Sequence, residues 1–205
     1  MSNPSDPHGH HDWHSAEYVD DWIARDVMRD AERAPQLAAL ARRIPVDASP
    51  VRVLDVGGGY GILTAAVLDE IPQATVVLHD FSEPMLAHAA ERLATYGDRV
   101  AYARADLRDD DWVDAVGDGF DAVVSSIAIH NVRDHAVVRR IFSGVLTVLR
   151  PGGVFLDQDL VRGGAPELGS LADHLAWLLD AGFVDVDCAW RDGPMALLCA
   201  TRPPG

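Results

Sequence analysis

Apolar residues along this 205-residue chain fall into two rhythms. Between Ser15 and about Arg33 they recur three and four apart, with Val19, Trp22, Ile23 and Val27 on one face. That spacing predicts an amphipathic helix behind a serine N-cap. Pro35 is placed to open a second short helix with Leu37, Leu40, Ala41 and Ile44 on its apolar side, and Pro45 to end it. From Val51 the rhythm changes. Short runs that are apolar on both faces (VRVLDV, TVVLHD, VAYARAD, FDAVVSSIAI, VFLDQDL) alternate with helical stretches (ILTAAVLDE, PMLAHAAERLATYG, DDDWVDAV, about Asp134 to Arg150). Strands of that kind alternating with helices predict an α/β fold, a doubly wound parallel sheet covered on both faces. After a last helix ending near Ala181, FVDVDCAWR and MALLCATR follow one another with only a Gly193-Pro194 turn between them, which predicts an antiparallel hairpin.

Two regions result: residues 1–48, a His-rich arm plus the N-terminal helices, and residues 49–205, the alternating α/β domain. No apolar run approaches the roughly 18 residues that span a bilayer. The first twenty residues are polar and acidic and resemble no targeting signal, so a cytoplasmic protein without a membrane partner is expected. There are 17 basic residues against 32 acidic, for a net charge of −15, and every basic residue is an arginine. Without lysine there is no Walker-type lysine and no Schiff base. With that charge a nucleic-acid partner is not expected, because such affinity rests on clustered positive charge.

The densest chemistry lies in Val53-Leu54-Asp55-Val56-Gly57-Gly58-Gly59-Tyr60-Gly61, between the first strand and a helix. Glycines there let the chain turn tightly and a ligand approach the backbone at a helix N-terminus. The nicotinamide spacing G-x-G-x-x-G fails from Gly57, where Ile62 stands third, and from Gly59, where Thr64 does. The pattern that fits is D-x-G-x-G-x-G. Asp80 closes the second strand, where a carboxylate can accept both hydroxyls of a ribose, and Asp106 closes the third, where it can accept from an adenine amino group. With Asp55, Asp80 and Asp106 around the loop and no arginine in or beside it, a cationic ligand suits it better than a pyrophosphate.

VLDVGGGYG, VVLHDFSEPML, ARADL, FDAVVSSIAIHNV and LRPGGVFL, in that order, resemble the motifs of class I S-adenosylmethionine-dependent methyltransferases, nearest the small-molecule and quinone-type members. The resemblance covers roughly residues 51–202. It implies a Rossmann-like seven-stranded sheet of order 3-2-1-4-5-7-6 with strand 7 antiparallel, S-adenosyl-L-methionine as cofactor and S-adenosyl-L-homocysteine as product. It implies that Asp55 and the loop at Gly57, Gly58, Gly59 and Gly61 hold the methionine part, that Asp80 takes the ribose, and that Phe81 and Met85 border the adenine. Asp106 and Leu107 would meet the adenine edge and face, with Ser125 and Ser126 near the methionyl part.

The expected reaction is in-line methyl transfer to a small-molecule acceptor, for which the protein aligns the nucleophile and excludes water. The alternatives are a protein that binds the cofactor without transferring methyl (a cyclase, regulator or partner subunit) and a nicotinamide oxidoreductase, which the glycine spacing opposes. His130, beyond the fourth strand, is the candidate base or orienting group; members with similar motifs often carry a second histidine where this chain has Asn131. Tyr18 and Trp22 are placed to lid the cofactor, and Asn131 to border the acceptor. With little chain between Val161 and Leu168 for a substrate cap, cover must come from residues 1–45 or from a second copy in a homodimer. The arm carries His8, His10, His11, His14 and Asp12, and is read as solvated, with no metal. Cys188 and Cys199 would face one another across the final hairpin if its turn has two residues; reduced thiols are expected.

Overall fold

The computed structural model describes residues 11–47, 50–161 and 167–205. Helix α1 (Ala16–Asp26) starts at Ser15, whose hydroxyl accepts from the Tyr18 backbone N–H. A single 3-10 turn, Val27–Arg29, leads into α2 (Asp30–Ala41). The helix break therefore comes about seven residues before the position expected from Pro35, which lies inside α2. A proline in a helix forfeits one backbone hydrogen bond, but burying Leu37, Leu40 and Ala41 outweighs that here. The bend is instead bridged by Arg33, which donates to both carboxylate oxygens of Asp26 at 2.5 and 2.7 Å.

The alternating region folds as β1 (Val51–Val56), α3 (Ile62–Glu70), β2 (Ala74–Asp80), α4 (Glu83–Arg92), β3 (Val100–Arg104), α5 (Trp112–Val116), β4 (Phe120–Ser126), α6 (His135–Val148), β5 (Leu149–Leu160), α7 (Leu171–Ala181), β6 (Val184–Asp192) and β7 (Met195–Thr201). The strands form one sheet in the order β3-β2-β1-β4-β5-β7-β6, as expected. β7 alone runs opposite to the other six strands, antiparallel to both β5 and β6. Alternate residues serve opposite cores: Leu54, Val123 and Phe155 pack with α6 and α7, while Val53, Ala122 and Leu156 pack with α3 and with Leu37 and Leu40 of α2. Among the described residues no helix is long and apolar enough to cross a membrane.

The hairpin departs from the expected register. Trp190 pairs with Leu197, but a bulge at Ala189 shifts the ladder so that Cys188 faces Leu198 and Cys199 faces Asp187. Cys188 packs against one core and Cys199 against the other, so the two thiols lie on opposite faces of the sheet and both are free.

Most of the buried polar side chains sit where parallel strands end. Asp55, His79, Asp80, Ser125, Asp157, Gln158 and Asp159 all lie near the carboxyl ends of β1, β2, β4 and β5 and are at most 8% exposed. Ligands bind at that edge of an open α/β sheet.

Candidate active site

The glycine loop leaves β1 and is held from below. Gly57 has φ +66°, and a Cβ there would come within 2.5 Å of the Ala128 Cβ, so only glycine lets the loop lie against the turn after β4. Gly59, at φ +53°, would meet nothing nearer than the Met85 sulfur at 4.0 Å, so its backbone is open to an incoming ligand. Its N–H donates to Asp80 Oδ2 at 2.9 Å, and the Ser82 N–H donates to Oδ1 at 2.8 Å. Asp80 thus ties the loop to the start of α4. Asp55 lies underneath, fully buried, with Oδ2 accepting from the Thr64 hydroxyl at 2.6 Å. Burial pushes its carboxyl up to about 7.

A cleft opens above this loop. Of the residues expected at the site, Gly57, Gly58, Gly59, Asp80, Phe81, Met85, Asp106, Leu107, Ser126, Trp22, His130 and Asn131 line it. Asp55, Gly61, Ser125 and Tyr18 are off its wall. Gly61 caps α3 in the left-handed region, and Tyr18 stands behind the wall, hydrogen-bonded to His11 with its ring 5.5 Å from that of Trp13.

The cleft also holds residues that reading along the chain missed. His79 reaches it from β2, its ring 5.6 Å from Trp112, and burial holds its pKa down to about 4, so the imidazole is neutral. Arg33 and Arg108 line it too, which corrects the expectation of an arginine-free surrounding. Arg33 comes from α2, well upstream of the loop, and only folding reveals it. Bidentate pairing with Asp26 cancels its charge, and Arg108 lies 3.9 Å from Asp106, so three lining carboxylates face two arginines and the local balance still favours a cation.

The N-terminal segment forms one wall with His11, Trp13, Trp22, Asp26, Arg33 and Leu37. The Trp13 carbonyl accepts from the Ser82 hydroxyl at 2.6 Å, and the Trp13 and Trp22 rings meet edge-on at 5.3 Å. Tyr60 of the loop anchors the helices: its hydroxyl donates to Asp30 at 2.6 Å, with Asp26 Oδ2 3.1 Å away, and Arg92 lies over its ring at 4.7 Å. His14 meets the Phe81 ring edge-on at 5.3 Å, while His8 and His10 lie outside the described residues.

The opposite wall is the turn after β4, residues 126–132. There the Nδ1–H of His130 donates to Asp159 Oδ1 at 2.6 Å and its backbone N–H to Oδ2 at 2.9 Å. Ile127 adopts φ +55° to make that turn. Burial alone would depress the His130 pKa, but the carboxylate and hydrogen bond of Asp159 outweigh it and raise the pKa above the usual value. The pairing holds the tautomer in which Nε2 carries the lone pair.

Residues 53–153 match the family model described as a methyltransferase domain. The chain belongs to the class I S-adenosylmethionine-dependent methyltransferases. The cofactor of this family is S-adenosyl-L-methionine. Trans-aconitate 2-methyltransferase of Acidovorax ebreus (strain TPSY) is 29% identical over 170 residues, covering 82% of this chain and 58% of that one. A 23S rRNA (guanine(748)-N(1))-methyltransferase of Streptomyces fradiae is 32% identical over 171 residues, covering 82% and 52%. Among solved structures, an O-methyltransferase family protein from Burkholderia thailandensis superposes with a TM-score of 0.78 at 20% identity, over 94% of this chain and 61% of that one. The chain spans about half the length of these curated relatives.

Proposed function

We propose that the chain transfers the methyl group of S-adenosyl-L-methionine to a small-molecule acceptor, with His130 removing or orienting the acceptor's proton. The observation that carries this reading is that a single cleft joins the Gly57–Gly59 loop and Asp80 on one side to the His130–Asp159 pair on the other. The residues present fit the cofactor. Gly59 leaves open backbone, Asp80 is a carboxylate placed to accept from ribose hydroxyls, Phe81, Met85 and Leu107 offer apolar lining for an adenine, and Asp106 can accept from its amino group. With Arg33 and Arg108 each matched by a carboxylate, Asp80 supplies the net negative charge that a sulfonium wants.

When bound, the cofactor supplies an electrophilic methyl carrying its own leaving group. The protein's share is to place the acceptor in line and keep water out. Trp13 and Trp22 supply the cover, so residues 1–48 act as lid and residues 49–205 as the catalytic domain. When His130 is neutral its Nδ1 holds the proton, so Nε2 is the nitrogen able to take one from the acceptor, and Asp159 stabilises the imidazolium that forms. Such a base is useful only for an acceptor that must shed a proton, which favours a hydroxyl or a carbon acid over a carboxylate.

One curated relative is named for ribosomal RNA, but a net charge of −15 on this chain weighs against a polyanionic acceptor. The test is release of S-adenosylhomocysteine from the wild type and His130→Gln with a panel of hydroxylated, carbon-acid, amine and carboxylate acceptors, and with RNA. Turnover on a hydroxyl or carbon acid that falls about 10²-fold or more in the variant supports the reading. Turnover on RNA alone, or none dependent on His130, contradicts it.

A further inference from the structure

Beneath His130 the sheet carries a second carboxyl group that the methyl-transfer scheme does not use. Asp157 and Asp159 are two apart on β5, so their side chains leave the same face, and both are fully buried. Their surroundings differ in kind. Asp159 accepts from the His130 backbone N–H, the His130 ring and the Leu160 N–H at 2.9, 2.6 and 2.8 Å. Neither oxygen of Asp157 has a hydrogen-bond partner among the described residues. Its register neighbours are Ser125 on β4 and Leu198 on β7. The Ser125 hydroxyl is near enough to favour the charged form slightly, but not at hydrogen-bonding geometry.

The other groups around the pair do not compensate Asp157. Arg133, at the end of the His130 turn, acts against a charged His130. From α7, His174 feels Asp159 but is held toward its neutral form by burial. His135 of α6 lies against Trp177, its ring centroid 4.8 Å away, and acts on His174. From β7 come Ala196 and Leu198, both apolar and buried.

Two adjacent, fully buried carboxyl groups disfavour a double negative charge, and the hydrogen bonds decide which one ionises. Three donors aim at Asp159 and none at Asp157. We propose that Asp157 is a protonated carboxylic acid at neutral pH, a positioning residue that keeps a second negative charge in reserve beside the His130–Asp159 pair. The proton count is then simple. With His130 neutral, the three groups hold the Nδ1 proton and the Asp157 proton and carry one negative charge. When Nε2 takes a proton they become neutral. Facing two carboxylates instead of one, His130 would stay protonated near neutrality and could not serve as a base.

This rests on the reading that His130 serves the acceptor, but its test needs neither cofactor nor acceptor. The full chain, Asp157→Asn, Asp159→Asn and the double variant are compared by NMR titration of the His130 ring, assigned with His130→Gln, and by difference infrared spectroscopy. The wild type at pH 7 should show the carbonyl stretch of a protonated carboxylic acid that Asp157→Asn lacks. The His130 pKa should stay within about 0.3 unit in Asp157→Asn and fall by about one unit in Asp159→Asn. It should fall further in the double variant, because Asp157 surrenders its proton and takes over as counter-ion once Asp159 is gone. A residue with only a packing role would not make the double variant differ from Asp159→Asn.

Should Asp157→Asn fail to fold, Asp55→Asn at pH 8 keeps the test open, since the acid band that remains there then belongs to Asp157. Absence of any acid band assignable to Asp157, a fall of a unit or more in Asp157→Asn alone, or a double variant identical to Asp159→Asn would each overturn the proposal. Failure to bind S-adenosylhomocysteine would instead count against the site reading and leave these spectra unchanged.

Discussion

His130 and Asp159 are joined twice, ring nitrogen to Oδ1 at 2.6 Å and backbone nitrogen to Oδ2 at 2.9 Å, across 29 positions of sequence. One carboxylate therefore fixes both the turn that carries the imidazole and the tautomer of its ring. The pair sits where β4 and β5 end side by side, with Ser125 in register with Asp157 and Ser126 with Gln158.

The pair predicts a pH profile. Asp159 raises the His130 pKa, and a base works only when unprotonated, so kcat/KM should rise with pH along an acid limb lying above the usual histidine value. Asp159→Asn removes the charge that favours imidazolium. The limb should then move to lower pH by about one unit, even as the maximum rate falls. A limb that stays in place, or moves upward, would show that His130 is not the titrating group.

Asp55 predicts a different pH effect, on stability. Its carboxyl titrates near 7 when folded against an ordinary value of 3.8, so the unfolded chain loses this proton first as pH rises. Its contribution to stability is therefore present below about pH 4 and declines towards pH 7, by roughly 4 kcal/mol in all. Asp55→Asn keeps an oxygen for Thr64 and removes that decline. In urea denaturation the variant should gain on the wild type at pH 8 relative to pH 4; an equal difference at both pH values would refute the buried-acid account.

Gly57 and Gly193 separate backbone strain from contact. Both have positive φ, but a Cβ at Gly193 meets nothing within 4 Å, whereas one at Gly57 meets Ala128. Gly193→Ala should cost about 1 kcal/mol and leave cofactor binding intact. Gly57→Ala should cost about 2 kcal/mol or more, because Ala128 and the turn bearing His130 must shift, and should weaken S-adenosylhomocysteine binding. Equal losses in the two variants would contradict the contact.

Tyr60 predicts how the wall is held. Tyr60→Phe removes the hydroxyl donated to Asp30, at about 1 kcal/mol, while Arg33 and Arg92 still pair with Asp26 and Asp30. Hydrogen exchange should quicken across residues 16–41 and hardly change in β1 or β4. Unchanged exchange in α1 and α2 would remove Tyr60 as their anchor.

Much of the fold was legible because it rests on short-range pattern: doubly apolar strands, serine caps and the glycine loop each announce themselves within a few residues. What stayed hidden depends on contacts distant in sequence. Asp159 has no local signal linking it to His130, and Arg33 enters the cleft from an N-terminal helix whose break the proline misplaces. The hairpin register was lost to the bulge at Ala189, which hydropathy cannot show because both faces of the strand pair are partly covered. Asp55 and Ser125 belong to the right motifs yet lie below the cleft rather than on it.

The most direct test of the central claim is calorimetric titration of the full chain with S-adenosylhomocysteine, repeated on Asp80→Ala. The account predicts one site of micromolar or tighter affinity, weakened about tenfold or more in the variant, since Asp80 holds Gly59 in place and is the residue proposed to take the ribose hydroxyls. No binding by the wild type, or equal binding by the variant, would contradict it.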